Sequence, residues 1–408
     1  MTPPMKRDSG TARAKVKAHH QDQRRTAAAV SMPIDPDAWF TPGRFALIFG
    51  VLVVVCFPQV VFGFETFFFR DFVAFTYPGA FFQRECFWRG EFPLWNPYND
   101  CGIPFAAQWN MSALYPPSLF YLVLPLSWSL GVFSLAHLFL AAMGMYFLAY
   151  RWTRNRLAAS VAGTVFGFNG LTWYMLMWIS NLAAEAWMPW VILAAERAWQ
   201  TGGRRDLAVA ALAGGMQMLT GSPEAILLTW IFAAALWLVQ WFGKPNRLTS
   251  CGRFVAVPCL VAGLAAIQLL PFLELLSQSQ RSTTFGDSMW AMPKTGWANY
   301  LVPLFHYFRT MQGTYTPHDQ YWAASYYLGT ATIVLALLAV WKVRDSRTWV
   351  AAALTGLCLV LALGDAGVFF AWLRRLVPAI GFMRYPIKFV LLPTFLVPLL
   401  AARGLAWW

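Results

Sequence analysis

The chain has 408 residues, of which 58% are hydrophobic and only 12% charged, whereas a soluble globular protein carries charge on about a quarter of its positions. That deficit excludes a water-soluble enzyme or binding module and predicts a polytopic, all-α transmembrane helical bundle, because an apolar helix needs about 20 residues to cross ~30 Å of hydrocarbon. The formal net charge of +13 implies no nucleic acid, since its cations sit in the breaks between apolar runs.

Residues 1–40 differ in kind from the rest. Lys6, Arg7, Arg13, Lys15, Lys17, Arg24 and Arg25 lie among Ala, Ser, Gln and Pro. Such composition predicts a disordered basic cytoplasmic tail that sets topology or binds anionic lipid. It lacks the short apolar core and small-residue cleavage site of a signal peptide, so the first span is expected uncleaved from near Phe45. Residues 41–408 then form one multi-span membrane domain. Hydropathy places about 10 spans, near 45–64, 129–150, 158–176, 182–199, 206–220, 222–242, 254–272, 322–342, 348–364 and 387–402.

Charge asymmetry supports this map. The breaks at Arg151 to Arg156, Arg204-Arg205, Lys244 to Arg253, Lys342 to Arg347 and Arg403 fall on the side of the basic tail. Of the 31 Lys and Arg, 21 lie on that side and 10 on the other; of the 18 acids, 7 lie on it and 11 opposite. Positive residues stay inside, so the expectation is a multi-pass cell (inner or plasma) membrane protein with a cytoplasmic N-terminus. Three segments, 65–128, 273–321 and 365–386, are then extracytoplasmic and too long to be turns. The first is dense in aromatics, from Phe67-Phe68-Phe69 through Phe87-Trp88 to Trp95. The third sets Phe369, Phe370, Trp372 and Leu373 beside Arg374 and Arg375. Both predict interfacial helices around an outer-face cavity suited to a substrate with a lipid tail and a polar head.

Asp71 is the first candidate there. It follows Arg70 just after the first span, and an apolar neighbourhood would suit a carboxylate that takes a proton from a hydroxyl nucleophile; a local pair with Arg70 is the alternative. Glu224, in Gly221-Ser222-Pro223-Glu224, and Glu185 and Glu274 lie near the outer ends of apolar runs, where carboxylates are either helix-packing groups or face a water-filled cavity. Arg384-Tyr385-Pro386-Ile387-Lys388 places two cations four residues apart at the start of the last span, with Arg281 on another outer loop. These cations either hold a phosphate head or snorkel to lipid phosphates. His306, His318 and Asp319 read as surface groups or as a weak metal set. His137 is a lone polar group expected to bond to backbone. Cys86 and Cys101 are either a disulfide or two thiols. No phosphate-binding glycine loop, CxxC, nucleophile-elbow serine or internal repeat occurs.

A set of ordered motifs carries a resemblance. Asp71 is followed by Gly90-Glu91-Phe92-Pro93-Leu94-Trp95-Asn96-Pro97, Gly102-Ile103-Pro104 and Tyr115-Pro116-Pro117. Further along come Phe166-Gly167-Phe168-Asn169-Gly170, Trp187-Met188-Pro189-Trp190, Gly221-Ser222-Pro223-Glu224, Gln268 to Pro271 with Glu274 and Arg281, Tyr327-Leu328-Gly329, Leu363-Gly364-Asp365 and Arg384 to Lys388. From about residue 65 to 405 the chain resembles the bacterial YfhO family, itself similar to the GT-C integral membrane glycosyltransferases. The resemblance implies a GT-C-like fold and an inverting transfer of sugar from a polyprenyl-phosphate donor on the extracytoplasmic face. It implies Asp71 as general base and supports Arg384 and Lys388 as donor-phosphate contacts; Tyr385, Arg281, Glu224 and Glu185 are the further substrate-binding candidates. The acceptor would be a cell-envelope glycan, lipid or protein. A divalent metal, Mg or Mn, bridging Asp71 and the phosphate is compatible with that chemistry, though no dedicated ligand cage is evident. Family members usually continue into further spans and an extracytoplasmic domain, which raises the expectation of a truncated or split member. The Gly-Ser-Pro-Glu motif also departs from a His-containing form. The competing readings are a lipid-linked-sugar flippase, which would favour repeats and midplane charges, and a non-catalytic membrane scaffold.

Overall fold

The computed structural model describes residues 36–243, 247–280, 282, 285–311 and 313–408. The tail's residues 1–35, Lys244 and Arg281 fall outside them; of the remaining tail, Pro36–Trp39 form one helical turn. The chain is predominantly helical, and helices of eight or more residues are numbered α1 to α12. They are α1 (Pro42–Cys56), α2 (Tyr77–Trp88), α3 (Leu126–Thr153), α4 (Arg156–Phe168), α5 (Ile179–Thr201), α6 (Arg204–Leu219), α7 (Pro223–Phe242), α8 (Arg247–Gln278), α9 (Thr330–Lys342), α10 (Ser346–Leu361), α11 (Phe369–Leu376) and α12 (Leu391–Trp407). Two small antiparallel hairpins, β1 (Trp95–Asn96) with β2 (Ile103–Pro104) and β3 (Tyr307–Arg309) with β4 (Tyr315–Pro317), lie in the first two long segments.

Four helical stretches are long and apolar enough to cross a membrane: Leu126–Thr153, Pro223–Phe242, Arg247–Gln278 and Pro386–Trp407. Several expected spans are shorter or interrupted as continuous helices, and each break has a local cause. The first run stops at Cys56 because Phe57 precedes Pro58, whose ring disfavours helical backbone at the residue before it, and Phe57 adopts φ −132°. The 158–176 run ends at Phe168, where the Asn169 side chain accepts the Leu171 and Thr172 amides and starts a new short helix. The 322–342 run is helical only from Thr330, after Gly329 at φ +89°.

The packing order places α12 at the centre. It packs against α9, α4, α10 and α3, and its span is 89% buried. Around it α3 pairs with α4 and α5, while α5 reaches α6, α7 and α8. By contrast the apolar window of α8 is only 22% buried, and it leaves Leu260, Leu264, Ile267 and Leu270 exposed. Apolar side chains that find no partner inside the protein require an apolar surrounding, which is the physical mark of a helix facing lipid.

The two ends of the bundle differ. One end gathers arginines around Glu196; the other carries the three long segments. Tyr115 anchors the first segment to the helices. Its hydroxyl lies 2.7 Å from His137 Nε2 and accepts the Trp187 indole N–H at 2.7 Å. The Phe133 carbonyl, 2.7 Å from His137 Nδ1, can only accept, so Nδ1 carries the proton and Nε2 accepts from Tyr115. Burial pushes the Tyr115 phenol well up despite the Trp187 donor, keeping it neutral and a donor.

Candidate active site

The site at the loop-bearing end begins with a backbone feature. Arg70 takes a left-handed conformation, φ +49°, which a non-glycine residue adopts at a cost, and Asp71 then opens a π-helical turn, Phe72–Thr76. Such turns are rare and concentrate at functional places. The twist sends the Arg70 guanidinium away from Asp71. Its Nη1 donates to the Tyr174 hydroxyl at 3.1 Å and the Tyr321 carbonyl at 2.6 Å. The local Arg70–Asp71 pair left open by the sequence is therefore not formed. Instead Asp71 Oδ2 accepts the Trp178 indole N–H at 2.5 Å, and no described residue donates to Oδ1.

From Trp178 a run of contacts leads to the other candidates. The Trp178 and Trp322 rings stack at 5.3 Å between centroids. Lys388 Nζ lies 5.6 Å from the Trp322 ring and 5.4 Å from the Tyr385 ring, while donating to Glu224 Oε1 at 2.6 Å. Tyr385 stacks on Trp290 at 4.6 Å. On its other flank the Arg384 guanidinium sits 4.7 Å from the Phe285 ring, and its buried Nε has no partner among the described residues. Asp71, Glu224, Tyr385, Lys388 and Arg384 are thus joined across more than 300 residues of sequence into one aromatic-lined polar cluster.

Helix α5 and its N-cap organise the cluster. Trp178, Asn181 and Glu185 are spaced three and four apart, so they share one face. Trp178 bonds Asp71, Asn181 accepts the Ser222 hydroxyl at 2.6 Å, and Glu185 Oε1 accepts the Thr172 hydroxyl at 2.9 Å. Glu185 is fully buried, and its Oε2 has no partner among the described residues. Gly221, at φ +80°, lets the turn before Glu224 pass against the Trp109 backbone carbonyl, where any Cβ would collide. The clasp is completed by Trp109 Nε1 donating to the Met218 carbonyl at 2.6 Å and Ser112 Oγ to the Thr220 carbonyl at 2.7 Å. A second clasp lies at Asp365, whose Oδ2 accepts the Ser288 amide and hydroxyl at 2.9 and 2.8 Å, while Arg374 pairs with Oδ1 at 2.9 Å. Burial by itself would raise this carboxyl, but the Ser288 donors and Arg374 hold it below the ordinary carboxylate value.

Other sequence candidates lie outside the cluster. Glu274 is exposed near the end of α8. His306 and His318 are exposed and pack edge-on and face-on against Phe305 and Phe308. Among the described residues no three His, Cys, Asp or Glu side chains are close enough to hold a metal ion. Cys86 is buried and Cys101 exposed, both as free thiols. Sequence reasoning missed Trp178, Trp322 and Asn181, and quoted Ser222 only as part of the motif around Glu224; for Trp178 and Asn181 the only signal was helical spacing with Glu185.

A cavity of about 660 Å³ adjoins this site without including Asp71. It lies between α2 and the β1–β2 hairpin, and two of its lining residues, Ala74 and Phe75, belong to the π-helical turn that Asp71 opens.

The chain matches no protein-family model and no curated protein sequence. The fold and site define a class only: a predominantly helical chain, with helices long and apolar enough to cross a membrane and a polar, aromatic-lined cluster at one end of its bundle.

Proposed function

We propose that this chain is an integral membrane glycosyltransferase of GT-C-like type, with its N-terminus cytoplasmic and its loop-bearing end extracytoplasmic, acting on a polyprenyl-phosphate-linked sugar. The carrying observation is the convergence of Asp71 with Lys388 and Arg384 through Trp178, Trp322 and Tyr385. A base and cations held in one apolar-walled place are what transfer from a lipid phosphate requires. The ordered motifs shared with the YfhO family support the same reading.

In this mechanism Asp71 Oδ1 removes the proton from an acceptor hydroxyl while the Trp178 N–H fixes the carboxylate's orientation through Oδ2. The acceptor oxygen forms its bond to the anomeric carbon as the bond from that carbon to the phosphate oxygen breaks, with inversion. The electron pair leaves on the polyprenyl phosphate, whose growing charge is met by Lys388 and Arg384. Lys388 shares its donors between the Glu224 carboxylate and the phosphate.

The opposite end of the bundle weighs against a carrier. Fully buried Glu196 on α5 is paired with Arg151 of α3 and Arg347 of α10, and it accepts from Trp152 and Gln240. Arg403 of α12 pairs with Asp345. Such a clamp ties α3, α5 and α10 together at that end, against the relative movement of helices that alternating access uses. The deciding experiment is sugar transfer from polyprenyl-phosphate donors in reconstituted membranes, native chain against Asp71→Asn. Asp71-dependent product is expected; absence of turnover across a broad donor and acceptor panel would favour a scaffold, and movement of unchanged lipid-linked sugar would favour a flippase.

A further inference from the structure

The cavity beside the Asp71 turn has a composition that selects among ligands. One wall is α2, which contributes Tyr77, Phe81, Phe82 and Glu85 from a single face. The opposite wall is the β1–β2 hairpin region, which contributes Asn96, Tyr98, Asn99 and Phe105. The walls are locked by Phe82 against Phe105, with ring centroids 5.0 Å apart. At about 660 Å³ the space falls within the roughly 300–1,000 Å³ of small-molecule sites.

The hydrogen-bonding groups on its rim are largely uncommitted. Asn96 Oδ1 accepts the Tyr98 amide at 3.0 Å, but its amide NH2 and the Asn99 side chain are matched with no described donor or acceptor, and Glu85 has only a 4.0 Å contact to Arg84. An alkyl chain filling the cavity would strip water from these groups and return no hydrogen bond, which is unfavourable for each. An anionic headgroup is disfavoured in another way. The lining cation Arg89 already pairs with Glu91 at 3.0 Å, and Arg84 lies 4.0 Å from Glu85, so each of these cations already has a carboxylate beside it. What fits is a neutral molecule with an apolar face for the aromatic rings and an edge of hydroxyls for Asn and Glu.

We infer that this cavity is a binding site for the pyranose ring of a neutral saccharide, seated on Phe81 and Tyr98 and hydrogen-bonded by Glu85, Asn96 and Asn99. Its position deepens the transferase reading, since Ala74 and Phe75 link it directly to the turn that carries Asp71, but binding itself does not require transfer. Two sources, a free acceptor glycan and the sugar of the lipid-linked donor, present the same ring chemistry.

The test is equilibrium binding of maltose, lactose and chitobiose to the full chain in lipid nanodiscs, read by calorimetry and by saturation-transfer NMR. Saturable binding of at least one is expected, falling about tenfold on Tyr98→Ala and on Asn99→Ala, as the loss of an aromatic platform or a polar anchor implies. Binding is read without donor and without turnover, so a failed transfer assay does not decide this result. Displacement by a short-chain lipid-linked sugar would identify the donor as the source, and its absence a free glycan. Absence of saccharide binding by the native chain, binding indifferent to both rim variants, or quenching that places a spin-labelled acyl chain against Tyr98 would overturn the assignment.

Discussion

Two polar clusters occupy opposite ends of the same bundle, and they are built on different terms. Around Glu196 both carboxylate oxygens are saturated: Oε1 accepts from Arg347 and Gln240, and Oε2 from Arg151 and Trp152. Around Asp71, among the described residues, each carboxylate is bonded on one oxygen only, Asp71 by Trp178, Glu224 by Lys388 and Glu185 by Thr172. A saturated charge has no capacity left for a substrate and serves to hold helices together. A carboxylate with one fixed and one open oxygen is oriented yet still able to take a proton. On the proposed reading, this difference separates scaffold from site.

Substitutions at the two clusters should therefore fail in different assays. Asp71→Asn keeps an oxygen for Trp178 and removes the base, so transfer should fall by about 10²–10⁴-fold, the usual scale of general-base catalysis. Its melting temperature should match the native chain, and normal turnover would end the base assignment. Glu196→Ala takes the shared carboxylate from the partly buried Arg151 and Arg347 and should cost up to about 3 kcal/mol, the low end for breaking a buried pair, measured as thermal unfolding in detergent. If that variant instead lost activity at native stability, the division between the clusters would be wrong.

Lys388→Ala and Arg384→Ala should each weaken donor use by roughly tenfold or more, on the scale of one charge-assisted hydrogen bond, with a smaller change in the acceptor KM. Equal changes in both would remove the phosphate role. The smallest effect concerns Asp365. Its folded value is lowered, so its contribution is complete above the unfolded value of about 4 and is lost as pH falls through the folded one. Proteolytic nicking of the 282–290 segment should increase only under that acid condition, and Asp365→Asn should abolish the pH dependence.

The sequence made the helices legible and the cluster only partly so. Apolar run length predicted α3, α7, α8 and α12, because in hydrocarbon a helix satisfies its own backbone and hydropathy is then decisive. Charge chemistry singled out Asp71, Glu224, Arg384 and Lys388, since ionisable groups stand out in an apolar chain. Trp178 and Trp322 did not stand out. Among 22 tryptophans, an interfacial ring and one that fixes a carboxylate have the same local pattern, and only the partner's position distinguishes them.

Composition and periodicity alone determined that this protein is a helical, lipid-suited chain whose ionisable residues are few and segregated, because those properties depend on each segment's own transfer from water. Tertiary structure alone decided that Arg70 turns from its neighbour Asp71, that Lys388 meets Glu224, and that α2 and a hairpin enclose a cavity. Each of these depends on which distant side chain arrives within hydrogen-bonding or van der Waals reach, and sequence spacing carries no such distance.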